Sequence, residues 1–248
     1  MAKQIFSRVS VIGLGGIWSY FWKAACRTIT FTKNAPHSVS LVDGDQFSFS
    51  NLERQDMTEE DEAKMKAYVY KERIDRGFPR LKATMVPEFV TKKNIGKIIQ
   101  PNTIVPFLVD NHKTRKLVSE YVRENARKLK NVAVITAAND EFTANAHLHL
   151  VLGGKEITSA MDKCHPEIDK PADKNPGDLT CEERARLPGG GQTSNANMWA
   201  ASLAHNYLWE LLKGGNSNPK SIDPRIIAKS ESFFDSRHLL VDTTSRAL

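Results

Sequence analysis

VDGDQFSFSNLERQ, residues 42–55, is the stretch that decides the fold of this 248-residue chain, and RVSVIGLGG at 8–16 supports it. The run at 8–16 is β-branched and ends in glycines, which is typical of a strand that enters a tight turn. The stretch at 42–55 ends a second apolar run and places Asp43 directly after it. A strand, a glycine turn and a second strand that ends in an acidic residue are the pattern of a mononucleotide-binding βαβ unit.

The rest of the chain continues this alternation of strands and helices. Short apolar runs predict strands at 8–12, 39–42, 83–86, 103–109, 132–135 and 144–152. Helical patterns cover 18–28, 58–77, 113–128 and 194–212. The second helix is expected to open with a capping box formed by Thr58 and Asp61. Two last apolar runs, 226–228 and 239–241, predict a final hairpin.

Alternating strands and helices favour βαβ units and a parallel sheet. The expected fold class is therefore α/β: a Rossmann-like, doubly wound, mainly parallel sheet with antiparallel C-terminal strands. We expect one domain over 1–248, with a nucleotide-binding part at about 1–140 and a long loop, helix and hairpin at about 141–248. The polar stretch at 156–192 shows no period, and a loop of that length usually carries function or is disordered.

Composition limits the class of protein. Apolar residues make up 40% and charged residues 26%, as in ordinary globular domains, and no apolar run approaches the roughly 18 residues of a membrane span. We therefore expect no membrane association. Three scattered cysteines argue against a disulfide framework and favour a reducing, cytoplasmic location. The net charge of +6 is spread over several segments, which indicates solvated helix faces and a nucleotide pocket; a nucleic-acid surface stays open but is not favoured.

Gly13, Gly15 and Gly16 follow the first strand and open the first helix. Without Cβ atoms the backbone can approach phosphate oxygens closely, and the positive end of the helix attracts them. A plain strand-to-helix turn is the alternative. Trp18 stands where the usual G-x-G-x-x-G pattern has its third glycine, so we expect its ring to alter how the helix packs on the sheet.

The polar side chains of 42–55 resemble the signature of the ThiF/MoeB and ubiquitin-activating enzyme superfamily, D-x-D followed by S-N-L-x-R-Q. The residues that match in register are Asp43, Asp45, Ser50, Asn51, Leu52, Arg54 and Gln55. Lys66 stands where the family has a lysine in the next helix, with Lys64 as a competitor. FLVDNHKTR at 107–115 supplies the aspartate that ends the family's fourth strand. The resemblance covers 8–135 well and the C-terminal third only in outline.

The resemblance implies ATP and Mg²⁺ as cofactors and gives each matched residue a role. The phosphates would lie on Gly13, Gly15 and Gly16, and the ribose on Asp43. The triphosphate would contact Asn51, Arg54 and Lys66. The nucleotide site would be completed by Asp45, Gln55 and Asn111. Asp110 would hold Mg²⁺, and catalysis would depend on Arg54, Lys66 and Asp110.

The chemistry of these side chains agrees with the implied reaction. Attack of a carboxylate on an α-phosphate brings anions together, so cations must neutralise them. Arginine suits bidentate contact with phosphate, and lysine suits a point-charge contact. One aspartate suffices for Mg²⁺ because phosphate oxygens and water complete its shell. No general base is needed, since a carboxylate is already ionised near neutral pH.

The implied activity is ATP-dependent adenylation of the C-terminal carboxylate of a small ubiquitin-like or sulfur-carrier protein. Transfer of the acyl group to a cysteine is an open second step. The alternatives are a non-catalytic scaffold subunit of the same fold, adenylation of a peptide or tRNA-linked carboxylate, and an NAD-binding domain. The fold also implies a homodimer.

Cysteines and histidines are the remaining reactive side chains. Cys181 lies where several relatives keep a cysteine in their crossover loop; catalysis there and an incidental loop cysteine both stay open. Cys26 is expected in the core of the first helix. The chain has no C-x-x-C pair, so the structural zinc of many relatives is not expected. For His147 and His149, which share one face of a strand, we expect a solvated face rather than a metal site.

Overall fold

A computed structural model describes residues 4–179, 193–213, 216, 218, 220, 222–238 and 240–244. Its strands form one nine-stranded sheet. The strands are β1 (Arg8–Ile12), β2 (Ser38–Val42), β3 (Lys82–Val86), β4 (Thr103–Phe107), β5 (Val132–Asn139), β6 (Thr143–Leu152), β7 (Lys155–Glu156), β8 (Glu231–Asp235) and β9 (Leu240–Thr244).

Helices of very different lengths connect these strands. The α-helices are α1 (Gly16–Phe31), α2 (Lys66–Gly77), α3 (Ile95–Ile98), α4 (His112–Glu124), α5 (Ala126–Leu129), α6 (Met161–Cys164), α7 (Pro166–Asp169), α8 (Ser194–Lys213) and α9 (Pro224–Ala228). Short 3₁₀ turns lie at Phe49–Asn51, Glu59–Asp61 and Pro176–Asp178. In the part of the chain that the structure describes, no helix has the length and apolarity needed to cross a membrane.

The strand order is β3-β2-β1-β4-β5-β6-β8-β9, with β7 paired to β6. Strands β1 to β5 are parallel, and β6, β8 and β9 continue the sheet in antiparallel pairs. The order reverses between β1 and β4, because the chain first moves outward to β2 and β3 and then returns to the other side of β1. Open α/β sheets bind ligands at such a switch point, outside the carboxyl ends of the strands. The topology confirms the predicted doubly wound fold with antiparallel C-terminal strands.

Each face of the sheet buries an apolar core. On one face α1, α2 and α8 cover the sheet, and on the other α3, α4 and α5 do so. Strand β5 contributes to both cores: Ala133 and Ile135 face the first, and Val132 and Val134 face the second. Successive side chains of a strand point to opposite faces. A strand buried on both faces therefore appears in the sequence as an unbroken apolar run.

Pro106 lies inside β4, a strand with neighbours on both sides. Proline has no backbone N–H to donate to a ladder and is rare in central strands. On one side the pairing is continuous and includes Pro106 opposite Ile135. On the other side β1 pairs with β4 at Ile104 and at Phe107 but not at Pro106. The ladder between β1 and β4 is therefore interrupted at the proline.

The segment predicted as one helix over 58–77 divides into two, so that prediction is wrong. The capping box does form, since Asp61 accepts the N–H of Thr58 at 2.8 Å, but it caps only a 3₁₀ turn. Lys64 then accepts the N–H of Phe47, and the N–H of Lys66 donates to the carbonyl of Asp45. These bonds tie the chain to the loop after β2. Helix α2 consequently begins only at Lys66.

The final hairpin lies later in the chain than predicted. Residues 226–228 belong to α9, which begins with Pro224 and is capped by the side chain of Asp223. An Asp-Pro pair is a helix-start signal that outweighs a short apolar run. The observed hairpin pairs β8 with β9 and places Glu231 opposite Thr244. Residue 239, part of the predicted second run, lies outside the described residues.

The solvated face predicted for His147 and His149 is also wrong. Both side chains are buried in the middle of β6. The Nε2 of His149 lies 2.9 Å from Oε1 of Glu156, the last residue of β7. The ring of His165, between α6 and α7, packs edge-on against His147 at 6.3 Å. The alternation of the histidines correctly placed them on one face, but nothing in that pattern shows that the segment around His165 covers it.

Candidate active site

A cavity of about 450 Å³ opens at the switch point between β1 and β4. Its volume is in the range of small-molecule sites. The carboxyl ends of β1, β2, β4 and β5 and the loops after them form the lining, which includes every residue predicted for ATP and Mg²⁺: Gly13, Gly15, Gly16, Asp43, Asp45, Asn51, Arg54, Gln55, Lys66, Asp110 and Asn111. Cys181, with Arg184 and Arg186 near it in sequence, lies outside the described residues.

The glycine turn brings the backbone of β1 close to β4. Gly13 has a φ of 91°, which L side chains rarely adopt. A Cβ at Gly13 would also lie 2.9 Å from the carbonyl carbon of Leu108. Helix α1 begins at Gly16 and has no acidic residue in its first turn. Its free N–H groups and positive end are thus available to an anion in the cavity.

Asp43 ends β2 and lies beside the glycine turn. Its Oδ2 accepts the N–H of Leu14 at 2.7 Å, and its Oδ1 accepts the N–H of Asp45 at 2.9 Å. Burial raises the pKa of this carboxyl, while the positive charge of Lys66 and the two N–H bonds oppose the rise. Each carboxylate oxygen can accept a second bond. Asp43 can therefore fix the turn and still accept hydroxyl groups of a ligand.

Lys66, at the start of α2, is the lysine that reaches the cavity. Its side chain is buried, and its Nζ lies 2.7 Å from Oδ2 of Asp45. Lys64, the competitor in the sequence, is exposed on the loop before the helix. Asp45 is 56% exposed, so this ion pair lies at the edge of solvent. A phosphate group that binds Lys66 would compete with Asp45 for it.

Arg54 and Gln55 lie in the turn after Asn51 and face the glycine turn. The Nη1 of Arg54 donates to the carbonyl of Ser50 at 3.2 Å, whereas its buried Nε has no partner among the described residues. The Oε1 of Gln55 is likewise buried without a partner within that part of the chain. Asn51 closes the turn, since its Oδ1 accepts the N–H of Ser48 at 3.2 Å. Both residues line the cavity, so a ligand there could complete the bonding of these two groups.

Asp110 and Asn111 stand between β4 and α4. Asp110 is exposed at the cavity. The Oδ1 of Asn111 accepts the N–H of Thr114 at 2.8 Å, and its Nδ2 donates to the carbonyl of Lys174 at 2.6 Å. Asn111 thus caps α4 and holds the loop around Lys174. Its predicted contact with a nucleotide stays a prediction.

Arg115, the last residue of the FLVDNHKTR segment, fixes the backbone next to Asp110. Its Nε and Nη2 donate to the carbonyl of Val109 at 3.1 and 2.7 Å. Burial lowers the pKa of this guanidinium, and the negative charges of Asp110 and Asp173 oppose that effect. The bonds from Arg115 fix the backbone directly before Asp110.

Two loops that the sequence did not connect with the site also line it. A Cβ on Gly44 would lie 2.5 Å from the backbone nitrogen of Phe89, so glycine at 44 lets the loop after β3 close one side. On another side Asp173 accepts the N–H groups of His112 and Lys113 at 2.7 and 2.9 Å. The latter bonds place Asn175 and Pro176 in the lining. Neither contact has a local signal in the sequence, because each joins segments far apart in the chain.

Trp18 does not block the cavity. Its indole is buried in the core, with ring centroids 5.9 Å from Phe21 and 5.8 Å from Tyr70. The ring packs toward α2 and does not line the cavity. Cys26, about two turns further along α1, is buried as expected, and burial raises the pKa of its thiol to about 12. This thiol is therefore neutral and structural.

The donor set of the cavity fits a nucleotide triphosphate. Glycines that lack a blocking Cβ, the N-terminus of α1, an unpartnered guanidinium Nε and a buried lysine all suit phosphate oxygens. Within the described ranges no three His, Cys, Asp or Glu side chains converge to hold a metal ion. Asp110 at the cavity rim suits Mg²⁺ only where phosphate and water supply the other ligands.

Part of the sequence matches a known family and a curated protein. The model of the ThiF family matches residues 2–175. The tRNA threonylcarbamoyladenosine dehydratase of Escherichia coli K12 is 28% identical over 128 residues, which make up 50% of this chain and 46% of that protein. The chain thus spans about half the length of this curated relative.

Solved structures share the fold over nearly the whole chain. E. coli MccB with MccA-N7isoASN has a TM-score of 0.69 at 18% identity and covers 98% of this chain and 65% of its own. MccB with ATP has a TM-score of 0.65 at 17% identity, covering 97% and 64%. PaaA has a TM-score of 0.66 at 15% identity, covering 99% and 65%. This chain is shorter than these neighbours and spans less than two-thirds of each. Because the family match extends over well more than half of its residues, the chain belongs to the ThiF family.

Proposed function

We propose that this protein uses ATP to adenylate a carboxylate. The observation that carries the proposal is the cavity at the switch point, where Arg54 and Lys66 face the glycine turn and the N-terminus of α1. Cations and N–H donors that converge in this way suit a polyphosphate. Membership of the ThiF family and the similarity to MccB, which was solved with ATP, support ATP as that ligand.

In the proposed reaction an oxygen of the substrate carboxylate bonds to the α-phosphorus, and the bond to the bridging oxygen of pyrophosphate breaks. Arg54, Lys66 and the N–H groups of α1 would stabilise the negative charge that develops on the phosphate and the leaving group. The carboxylate attacks in its ionised form, so the site needs no base. When bound, Mg²⁺ would neutralise phosphate charge, and Asp110 is the residue placed to hold it.

A non-catalytic scaffold is the main alternative. A bulky Trp18 in the glycine turn is the sequence feature that would favour it, but the buried indole leaves the cavity open. Calorimetry separates the alternatives: we expect ATP·Mg²⁺ to bind and NAD not to bind. Binding of neither nucleotide would support the scaffold, and binding of NAD alone would support a dinucleotide-binding domain.

Two variants test the catalytic residues. We expect Arg54→Ala and Asp110→Ala each to abolish ATP–pyrophosphate exchange, which corresponds to a loss of roughly 100-fold or more for a preorganised electrostatic contact. Thermal unfolding should show that both variants stay folded, since neither side chain lies in an apolar core. Arg80→Ala, at an exposed position away from the cavity, is the matched control. Near-normal exchange by Asp110→Ala would remove that residue from the site.

The carboxylate substrate is the finer part of the proposal. We propose the C-terminal carboxylate of a small ubiquitin-like or sulfur-carrier protein, with a peptide carboxylate as its nearest variant; the resemblance in 42–55 and the MccB structures that contain MccA support this class. A tRNA-linked carboxylate is the second candidate, because the relative from E. coli K12 is named for a modified tRNA nucleoside and the chain has a net charge of +6.

Pyrophosphate exchange distinguishes these substrates. Exchange stimulated by small proteins that end in glycine would support the first class, and exchange stimulated by modified tRNA would support the second. Binding of tRNA should weaken steeply as salt rises, because phosphate contacts release counterions. A protein substrate stripped of its terminal glycine should no longer stimulate exchange. If it still does, the C-terminal carboxylate is not the group activated.

Transfer of the activated acyl group to Cys181 is a separate proposal. The thiolate sulfur would attack the acyl-adenylate carbon, and AMP would leave. Cys181→Ser should leave pyrophosphate exchange intact and abolish a thiol-labile adduct on the protein. An adduct that persists in this variant would exclude Cys181 as the acceptor.

A further inference from the structure

Six exposed cations lie at the amino edge of the parallel sheet, on the opposite side of the molecule from the cavity. They belong to four segments, 7–8, 97–102, 125–131 and 153–155, which contain no acidic residue. We call these six side chains the amino-edge surface: Arg8, Lys97, Arg127, Lys128, Lys130 and Lys155. The strands β1 and β4, which run from this edge to the cavity, have five residues each. At about 3.3 Å per residue they separate the surface from the cavity by roughly 15 Å.

Arg8 and Lys97 are brought together by a half-buried glutamine. The Nη1 of Arg8 donates to Oε1 of Gln100 at 2.5 Å, and the Nε2 of Gln100 donates to the carbonyl of Lys97 at 3.3 Å. Arg8 begins β1, whereas Lys97 and Gln100 lie in the segment before β4. The glutamine therefore holds two cations from distant parts of the chain at one edge.

The segment 125–131 joins this group from both sides. The N–H of Ser7 donates to the carbonyl of Asn102 at 2.8 Å, and the N–H of Asn102 donates to the carbonyl of Leu129 at 3.2 Å. The N–H of Gly154, directly before Lys155, donates to the carbonyl of Lys130 at 2.7 Å. The fold thus gathers into one surface cations that the sequence spreads over four segments.

The protein itself does not neutralise the amino-edge surface. None of its six side chains forms an ion pair with a carboxylate of the described residues. Of the acids that flank the four segments, Glu156 bonds to His149, and Glu124 is exposed at the end of α4. Like charges this close together repel one another, because they lie within or near a Debye length of about 8 Å. A polyanion would relieve that repulsion.

The composition of the surface distinguishes two kinds of polyanion, an acidic protein and a nucleic acid. Four of the six cations are lysines, which are depleted in protein–protein interfaces, where aromatic side chains and methionine are enriched. No large apolar side chain is exposed in any of the four segments. Interfaces with nucleic acids are instead polar and strongly positive, and their lysines and arginines contact phosphates. We infer that the amino-edge surface binds the phosphate backbone of a nucleic acid.

This inference goes beyond the proposed function, because the surface and the cavity lie at opposite edges of the sheet. Binding at the amino-edge surface needs no ATP. It also shows little preference for base sequence, since contacts to phosphates carry no information about the bases.

Fluorescence anisotropy tests the inference with a labelled RNA duplex and a labelled DNA duplex of the same sequence, each at several salt concentrations. The variant that combines Arg127→Gln, Lys128→Gln and Lys130→Gln removes three charges from the surface. We expect it to bind at least about 10-fold more weakly than the unaltered protein. The slope of log Kd against log salt should fall by about one for each phosphate contact that is lost.

The matched control combines Lys23→Gln, Arg27→Gln and Lys229→Gln. It removes the same charge from exposed positions outside the four segments and should bind the duplexes like the unaltered protein. Thermal unfolding should show that both triple variants stay folded. Calorimetry should show that both bind ATP·Mg²⁺ like the unaltered protein.

A loss of affinity confined to the first variant supports the inference. Tighter binding of the RNA duplex then identifies RNA as the partner, and equal binding identifies the backbone that both duplexes share. No binding of either duplex at low salt overturns the inference, and so does an equal loss in both triple variants, which net charge alone would explain. Polyglutamate that displaces the duplexes as well as unlabelled nucleic acid does would overturn it in favour of an acidic protein. If the unaltered protein binds the duplexes but not ATP, the proposed function fails and this inference stands.

Discussion

At the residue scale, the neighbouring side chain of Asn197 explains why position 16 is a glycine. Glycine is required at Gly13 by a φ of 91° and by the close backbone of Leu108, but at Gly16 by the amide of Asn197, which stands where a side chain would be. Glycine is therefore required at these two positions of one turn for different physical reasons. A motif records that both are glycine and cannot show the difference.

Gly16→Ala should destabilise the protein, because the new Cβ would meet Asn197 at 2.4 Å. We expect a loss of about 1–3 kcal/mol, as for other overpacked sites, measured by urea unfolding. Gly77→Ala is the matched control, since a Cβ there meets no heavy atom within 4 Å. Adding Asn197→Ala to Gly16→Ala should restore part of the loss. If Gly16→Ala is as stable as Gly77→Ala, the amide of Asn197 moves aside freely.

Many cavity residues could be predicted from the sequence because the segment 42–55 fixes both their identity and their spacing. Arg54 and Gln55 follow Asn51 within one turn, so knowing one places the others. Asn197 could not be predicted, since it meets Gly16 only after α8 packs along α1. A buried polar residue in an Ala- and Leu-rich helix appears in the sequence as a mere interruption of the apolar pattern.

At the element scale, helix α4 takes its N-terminal caps from two places. Asn111 supplies one within the helix start, and Asp173 supplies another from a loop distant in sequence. The second cap holds the loop that brings Asn175 and Pro176 to the cavity. Helix capping and assembly of the site therefore depend on the same carboxylate.

Asp173→Ala should lower stability by about 1 kcal/mol, the usual loss for a missing N-cap, and should also weaken ATP binding because the loop loses its anchor. Thermal unfolding and calorimetry measure the two effects. Asp173→Asn should retain much of the stability and much of the ATP affinity, since asparagine also caps helices. Asp75→Ala, which removes only a surface pair with Lys71, is the control. If Asp173→Ala loses stability but keeps its affinity for ATP, the loop does not contribute to the site.

Elements with strong local patterns were predicted well, and those decided by distant contacts were not. Strands β1, β2 and β4 begin at or within a residue of their predicted starts because buried parallel strands show as apolar runs. The helix over 58–77 is divided because the backbone of 64–66 bonds to the loop after β2. Such pairing between loops leaves no trace in helix propensity.

At the scale of the whole molecule, buried polar pairs make stability depend on pH. The hydrogen bond from His149 lowers the pKa of Glu156, and the partial burial of the carboxyl opposes this. A carboxyl with a lowered pKa in the folded state stabilises the fold above its unfolded pKa, and that contribution is lost as pH falls through the folded value. The pair between Glu156 and His149 therefore contributes at neutral pH and is lost in acid.

Glu156→Gln should flatten the fall in stability between about pH 5 and pH 3, a window that lies around and below the ordinary pKa of a glutamate. Urea unfolding at a series of pH values measures this. Glu72→Gln, at an exposed position on α2, should leave the profile unchanged. If stability falls with pH equally steeply in both variants, the pair with His149 does not contribute to the pH dependence.

The homodimer that the fold implies also belongs to this scale and stays a prediction. Sedimentation analysis decides it, and a single species with the mass of one chain would exclude it. Substrate and partner could not be derived from the chain itself, because the matched residues named for the site line the cavity proposed for the nucleotide. Recognition of a carboxylate's carrier depends on surfaces that the signature does not describe.

The interruption at Pro106 has a consequence for how a bound nucleotide would act on the molecule. The missing ladder bond lies between β1 and β4, so the sheet is joined more weakly there than along its other parallel seams. ATP would touch the turn after β1 on one side of that seam and Asp110, after β4, on the other. One small molecule would then bridge the two halves of the sheet, and slower amide hydrogen exchange along both strands would record it.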